Sequence, residues 1–388
     1  MNIIQKKVTI IGPIAYTGGR AVEAREIFEA LCQYYRVSIL STESYNSVIT
    51  PNSPLIGTDY QFLDKIILDS NNNIKFLSYL SWIKNFFKGR PEQYLNSKVN
   101  KKLAGLINKR KSVISQTVEN ADMIFLLMQI NSEYLKEIIN YSKANNTPII
   151  FRPTGKIAVI PEKIKSSLPH INKFICHSPK NTIQLKPFKK NFSIIDQNAF
   201  QEDKLVHLPI TINKPLTFGF LGRFSSEKGG IELADFFSSR TEKFIMAGDG
   251  PDKEKILKTI ESSNSCEYYG AILVDQIDEF MERIDILVIP SNDRETGPYT
   301  GIEAMAAGKI IFSTKVGAME DRLKDTANDF WFDVNNLNSL SKLIERVNQF
   351  SNEELLNISR INRDKYSKNY RRAIISNSYL EECKKLLK

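Results

Sequence analysis

Three short stretches in the second half of this 388-residue chain set charged side chains beside glycine turns. The first reads Phe220-Leu221-Gly222-Arg223-Phe224-Ser225-Ser226-Glu227-Lys228-Gly229-Gly230. An apolar run ends, glycine turns the chain, and two cations precede a helical pattern. Arg223 and Lys228 would stand beyond the carboxyl end of a strand, where open α/β sheets take ligands. Cations beside helix N–H groups suit a diphosphate, although two cations in a loop suit a solvated surface as well. The second stretch, Ala247-Gly248-Asp249-Gly250-Pro251, taken singly is a tight turn. The third runs from Pro290 and Ser291 to Ala304-Met305-Ala306-Ala307-Gly308, with Glu295 and Glu303 bracketing a glycine-rich turn. A carboxylate accepts hydrogen bonds from neighbouring hydroxyls, so such a pair suits a sugar and a ribose. The structural alternative is a solvated loop acid and a helix-start acid favoured by the dipole.

These loops need strands and helices to hold them. Apolar runs at 7–11, 36–40, 123–127, 148–152 and 173–177 predict buried strands, and 20–34 and 132–144 predict helices between them. A second series predicts strands at 217–221, 243–247, 286–289 and 309–313. Helices at 230–240, 252–263 and 301–307 alternate with them. Alternation of this kind implies parallel sheets covered on both faces. The expected architecture is α/β, with two Rossmann-like doubly wound domains facing a cleft. The boundaries are 1–206, a Pro-containing linker at 207–215, and 216–388. The basic, helical stretch 364–388 closes the second domain or returns to the first.

Composition narrows the partners. The chain carries 53 Lys and Arg against 44 Asp and Glu, a net +9 that suits anionic partners. No nucleic-acid motif accompanies that charge, so nucleic acid is not expected. No apolar segment approaches the roughly 18 residues that span a bilayer, and no signal core opens the chain. A cytoplasmic protein is expected. Cys32, Cys176, Cys266 and Cys383 lie far apart, and His170, His177 and His207 lack ligand spacing. Reduced thiols and no structural zinc follow.

Together the three stretches resemble the retaining glycosyltransferase family 4 of the GT-B superfamily. That family shows Gly-Arg-x4-Lys-Gly, then Ala-Gly-x-Gly-Pro, then Pro-Ser followed by Glu-x7-Glu with Ala-Met-Ala-x-Gly. The order and spacing hold over about residues 217–323. The resemblance implies a GT-B fold, with an acceptor-side first domain and a second domain that binds a nucleotide sugar. It implies that Arg223 and Lys228 clamp the diphosphate, that Glu295 holds hydroxyls of the donor sugar, and that Glu303 holds the ribose. Gly248 belongs to the donor loops. Tyr269, Gly270 and Ile272 fall where the family lines the base pocket. Gly18 and Gly19, after the first strand, resemble its glycine loop near the donor phosphates, though a Gly-Gly before a helix is also a common turn.

Two departures are visible. The histidine that many members carry after a later strand is replaced by Arg152-Pro153-Thr154-Gly155, so Arg152 or Thr154 would serve the acceptor or sugar side. The usual Glu-x-Phe-Gly turn becomes Glu295-Thr296-Gly297-Pro298. Pro298 has no N–H to donate, which leaves the N–H groups of Tyr299 and Thr300.

The expected activity is metal-independent, retaining transfer of a sugar from a nucleotide diphosphate to a glycan, a polyprenyl-linked one in bacterial surface-polysaccharide synthesis. No Asp-x-Asp triplet occurs, so cations rather than a metal ion would neutralise the leaving group. No cofactor and no dedicated base are expected. The aromatic and basic stretch 76–90, with Lys98, Lys101, Lys102, Lys109, Arg110 and Lys111, suits an anionic membrane surface at the inner face. A core helix with a solvated basic side is its structural alternative. The competing function is a GT-B protein that binds a nucleotide sugar without catalysis.

Overall fold

The computed structural model of the chain describes residues 5–45, 53–86, 95, 97–102, 105–188, 191–292 and 295–387. The chain forms two compact units. One comprises Met1–Cys176, Gln184–Ser193 and Ser376–Lys388, and the other His177–Ile183 and Ile194–Ile375.

The first unit holds a seven-stranded sheet. Its strands are β1 (Lys7–Gly12), β2 (Arg36–Ser41), β3 (Tyr60–Phe62), β4 (Met123–Met128), β5 (Ile149–Pro153), β6 (Lys173–Cys176) and β7 (Phe192–Ile194), in the order β3-β2-β1-β4-β5-β6-β7. The pairings between β3 and β6 are parallel. Every residue of β4, Met-Ile-Phe-Leu-Leu-Met, is buried. A central parallel strand packs on both faces and therefore reads as an unbroken apolar run. The last helix, Arg372–Leu386, joins this unit from Ser376 onward. Tyr379 meets Phe125 of β4 edge-on at 5.9 Å, and Glu382 pairs with Lys173 at 3.1 Å.

The second unit holds a five-stranded parallel sheet of β8 (Thr217–Leu221), β9 (Lys243–Ala247), β10 (Cys266–Gly270), β11 (Ile286–Ile289) and β12 (Ile310–Ser313), ordered β10-β9-β8-β11-β12. The strand period of two divides its core. Phe218, Phe220, Phe244, Met246, Val288 and Phe312 point to one face, against Leu233, Ala234 and Phe237 of helix Gly230–Ser238 and Leu340, Leu343 and Ile344 of helix Asn338–Gln349. The alternate residues Ile245, Ala247, Leu287, Ile289 and Ile311 face the other way, against Phe280 and Met281 and the helix Tyr299–Ala306. The spacing of the buried helical residues, three and four apart, is the stripe a sheet face requires.

The structure refines the expected elements. The helical stretch 364–388 is two helices. Helix Asn352–Asn369 begins at a capping box, in which Glu354 N donates to Ser351 Oγ and Ser351 N to Glu354 Oε2. It ends before Arg371 and Arg372, whose Nε and backbone N both donate to buried Glu202. The short strands β3 and β7 and the half-buried edge strand β10 add to the expected strands, and none of them carries a long apolar run.

Candidate functional site

In the second sheet the strand order reverses between β8 and β11, and the loops that leave these two strands flank that reversal. This is the switch point at which open α/β sheets bind ligands. The loop after β8 carries Arg223 and Lys228, and the loop after β11 carries Glu295. Gly229 lies between them with φ 70°, and a Cβ there would stand 2.8 Å from the carbonyl oxygen of Pro290. Only glycine permits that approach. Asn292 N donates to Glu227 O at 3.0 Å and ties the loops together.

Lys228 Nζ and Glu295 Oε1 form an ion pair across these loops. The second oxygen of Glu295 is buried and has no hydrogen-bond partner among the described residues. Arg223 is exposed on the same loop. Of the acidic loop itself, Asp293 and Arg294 lie outside the described residues. Beyond the same strand ends a cavity of about 500 Å³ is lined by Ser291, Asn292, Thr314, Trp331 and Asp333, so the Glu295 loop borders open space rather than core.

Glu303 belongs to helix Tyr299–Ala306 and is 4% exposed. Burial pushes its pKa up to about 7, and Arg322 opposes that rise. The helix starts at Tyr299 after Pro298, so the first N–H groups, those of Tyr299 and Thr300, fall outside its own ladder of bonds.

Arg322 organises this end of the site. It is fully buried and donates to both carboxylate oxygens of Asp196, at 2.8 and 2.7 Å. It also donates to Gln197 Oε1 at 2.9 Å and to the carbonyl oxygen of Pro298 at 2.6 Å. Burial works against its charge, but Asp196 overrides it and holds the guanidinium above its ordinary pKa. The carbonyl that ends the Glu295 loop is thus pinned by a buried ion pair. Sequence reasoning missed Arg322 and Asp196. The two are 126 positions apart, and Arg322 sits in the polar run Glu320-Asp321-Arg322, which reads as surface.

The loops after β9 and β10 join from the other side. Gly248, at φ 143°, donates its N–H to Gly270 O at 2.9 Å, and a Cβ on it would lie 1.9 Å from the Gly222 carbonyl oxygen. The Gly-Asp-Gly turn is therefore the surface on which the Arg223 loop rests, with Phe224 N donating to Asp249 O at 2.9 Å. The ring of Tyr269 packs edge-on against Phe280 at 5.7 Å and lies under Arg283 at 5.4 Å. Its side chain is committed to packing, as is that of half-buried Ile272, which leaves backbone groups near Gly270 for a ligand.

The remaining candidates are in the first unit. Gly18, at φ 94°, caps helix Gly19–Cys32, and both glycines are exposed after β1. That loop leaves the reversal between β1 and β4, the switch point of its own sheet. Arg152 is fully buried, ion-paired with Glu23 and 5.5 Å from the ring of Tyr379. Its place is the interior of the unit rather than a surface. Thr154 follows β5, and its Oγ1 is buried without a hydrogen-bond partner among the described residues.

Residues 209–371 match the family described as glycosyl transferases group 1. An uncharacterised glycosyltransferase of Methanocaldococcus jannaschii is 29% identical over 210 residues, 53% of this chain and 57% of the relative. The alpha-monoglucosyldiacylglycerol synthase of Acholeplasma laidlawii is 24% identical over 270 residues, 66% of this chain and 60% of that protein. The chain thus spans less than two thirds of the length of these curated relatives. Among solved structures, Anabaena HepE in complex with UDP and glucose superposes with a TM-score of 0.69 at 13% identity, covering 98% of this chain and 99% of that one. The fold of this chain is that of the GT-B glycosyltransferases, and its residues 209–371 match the group 1 glycosyl transferases.

Proposed function

We propose that the protein is a glycosyltransferase that moves a sugar from a nucleoside-diphosphate donor to a glycan acceptor, with retention at the anomeric carbon and without a metal ion. The observation that carries this reading is the pairing of Lys228 with Glu295 at the switch point of the second sheet. A cation suited to phosphate and an acid suited to hydroxyls stand side by side.

In this reading Arg223 and Lys228 take up the negative charge of the diphosphate as the bond from the anomeric carbon to it breaks. Preorganised cations lower that barrier because they need not reorient as charge develops. Glu295 accepts hydroxyls of the transferred sugar, and its unpartnered oxygen supports the role. Glu303 accepts the ribose hydroxyls. Backbone groups near Gly248, Gly270 and Ile272 receive the base, and the N–H groups of Tyr299 and Thr300 face negative charge. Gly18, Gly19 and Thr154 serve the acceptor side, and Arg152 supports them from within. The leaving phosphate accepts the acceptor's proton, so no protein base is assigned.

The acceptor proposed is lipid-linked, in surface-polysaccharide assembly at the cytoplasmic face of a membrane. The name of the Acholeplasma relative supports a lipid. The test is release of nucleoside diphosphate from a panel of UDP, GDP and ADP sugars in excess EDTA. One donor is expected to be cleaved at the same rate with and without EDTA. No cleavage of any donor, together with no thermal stabilisation by any nucleoside diphosphate, overturns the reading. Activity that EDTA removes and Mg²⁺ or Mn²⁺ restores overturns its metal-independent part.

A further inference from the structure

Helix Asn72–Phe86 is apolar on the side that should be polar. Inward it places Ile74, fully buried, and Ser78, whose Oγ accepts a hydrogen bond from Asn100 Nδ2 at 2.8 Å. Outward it places Phe76, Tyr79, Leu80, Trp82 and Phe86, which are 62, 59, 47, 39 and 56% exposed. The rings of Tyr79 and Trp82 stack at 6.2 Å, and Trp82 lies 5.4 Å from Phe86. At 3.6 residues per turn, Phe76, Tyr79 and Phe86 share one stripe, with Leu80 and Trp82 on its flanks. Soluble surfaces scatter large apolar residues singly, and a contiguous strip marks a face that something covers.

The charge around the strip identifies the cover. Arg110 is buried against Asp64 and Lys111 pairs with Glu137, so the charge beside the strip comes from the exposed lysines, with Asp69 of the neighbouring helix Leu63–Ser70 the exposed acid closest in sequence. Lys75 and Lys84 are exposed on this helix, and Lys98, Lys101 and Lys102 are exposed on helix Lys98–Lys102, which packs against it. A second copy of the chain fits poorly, because a two-fold contact here would bring the lysines of both copies together.

We infer that helix Asn72–Phe86 docks the protein on an anionic lipid bilayer. The helix lies in the plane of the headgroups. Phe76, Tyr79, Trp82 and Phe86 enter the acyl boundary and the lysines meet lipid phosphate. Trp and Tyr favour that boundary, and lysine stems reach across it to the headgroups. No helix among the described residues is long and apolar enough to cross a membrane, so this one rests on the surface. The inference deepens the proposed lipid-linked acceptor and rests on that reading for its purpose. Its test does not depend on turnover.

The experiment uses the full chain with Trp331→Phe, which leaves Trp82 as the sole tryptophan. It is mixed with vesicles of phosphatidylcholine alone or with added phosphatidylglycerol. The expected result is a blue shift of Trp82 emission and co-sedimentation with the anionic vesicles only, both fading as salt rises. Lys75→Gln with Lys84→Gln should weaken anionic-vesicle binding by about thirtyfold. Phe76→Ser with Phe86→Ser should weaken it at least as much, with the unfolding temperature unchanged because both rings are exposed. No blue shift with anionic vesicles overturns the inference, as does equal binding to neutral ones. A dimer in sedimentation that Phe76→Ser with Phe86→Ser dissolves would overturn it in favour of a second copy. Donor cleavage in vesicle-free solution is scored separately. Cleavage without vesicle binding removes this inference and leaves the proposed function standing.

Discussion

Lys228 and Glu295, 67 positions apart, meet as an ion pair at the carboxyl end of the second sheet. In the proposed site each belongs to a different part of the donor. On that reading each holds, in the free protein, the place of the other's ligand. In the proposed function, donor binding would exchange the carboxylate for the diphosphate at Lys228 Nζ and release Glu295 to the sugar hydroxyls.

Glu295→Gln separates the two roles. Bare nucleoside diphosphate should bind unchanged or up to about fivefold tighter, since the competing ion pair is partly exposed and contributes at most about 1 kcal/mol. Turnover should fall by about 10–100-fold, the loss of a charge-assisted bond of roughly 1.5–3 kcal/mol in the transition state. Calorimetry beside initial rates checks both. A large loss of bare nucleotide affinity would mean that Glu295 does not face the sugar.

Lys228→Ala and Arg223→Ala should each weaken nucleoside diphosphate binding by roughly 1.5–3 kcal/mol. Arg223 is the sharper test, because it is exposed and its removal leaves the protein's packing intact. Unchanged affinity in both variants, with folding preserved, removes the clamp.

Glu303 makes stability depend on pH. Its ordinary value is 4.5, and burial raises it to about 7 in the folded chain. Folding takes up a proton between those values, so Glu303 lowers stability as pH rises from about 4.5 to 7. Above that the cost is constant, about 3 kcal/mol. Glu303→Gln should stabilise the ligand-free protein at pH 8, change little at pH 4.5, and weaken nucleotide binding by about 1–3 kcal/mol. Urea unfolding at the two pH values is the measurement, and an equal change at both would show that Glu303 does not titrate in this window.

Arg322→Met strands the Asp196 carboxylate in the interior and should cost about 3–5 kcal/mol of stability. Adding Asp196→Asn removes the stranded charge and should recover part of it. Turnover should stay low in the double variant, because the Pro298 carbonyl is no longer held and the Glu295 loop loses its anchor. Full recovery of turnover along with stability would reduce Arg322 to a structural residue.

Much of this protein is local in origin and therefore legible in its sequence. The run Met123–Met128 declares a central parallel strand because such a strand is buried on both faces. The glycine and cation pattern at 222–230 marks the end of a strand, and the acids at 295 and 303 flank the turn into helix Tyr299–Ala306. Gly248 and Gly229 stand where backbones approach too closely for any Cβ. Other features required the tertiary structure. The strand order β10-β9-β8-β11-β12 makes the Lys228 and Glu295 loops neighbours, and no local period encodes which strands pair. Arg322 reads as surface until Asp196, brought from 126 positions away, turns it into a buried anchor. Helix Asn72–Phe86 has apolar residues all round, so its composition could not say which face would be covered by protein. Periodicity reports how a segment presents its side chains. What those side chains meet depends on packing across the whole chain, and the tertiary structure alone decided it.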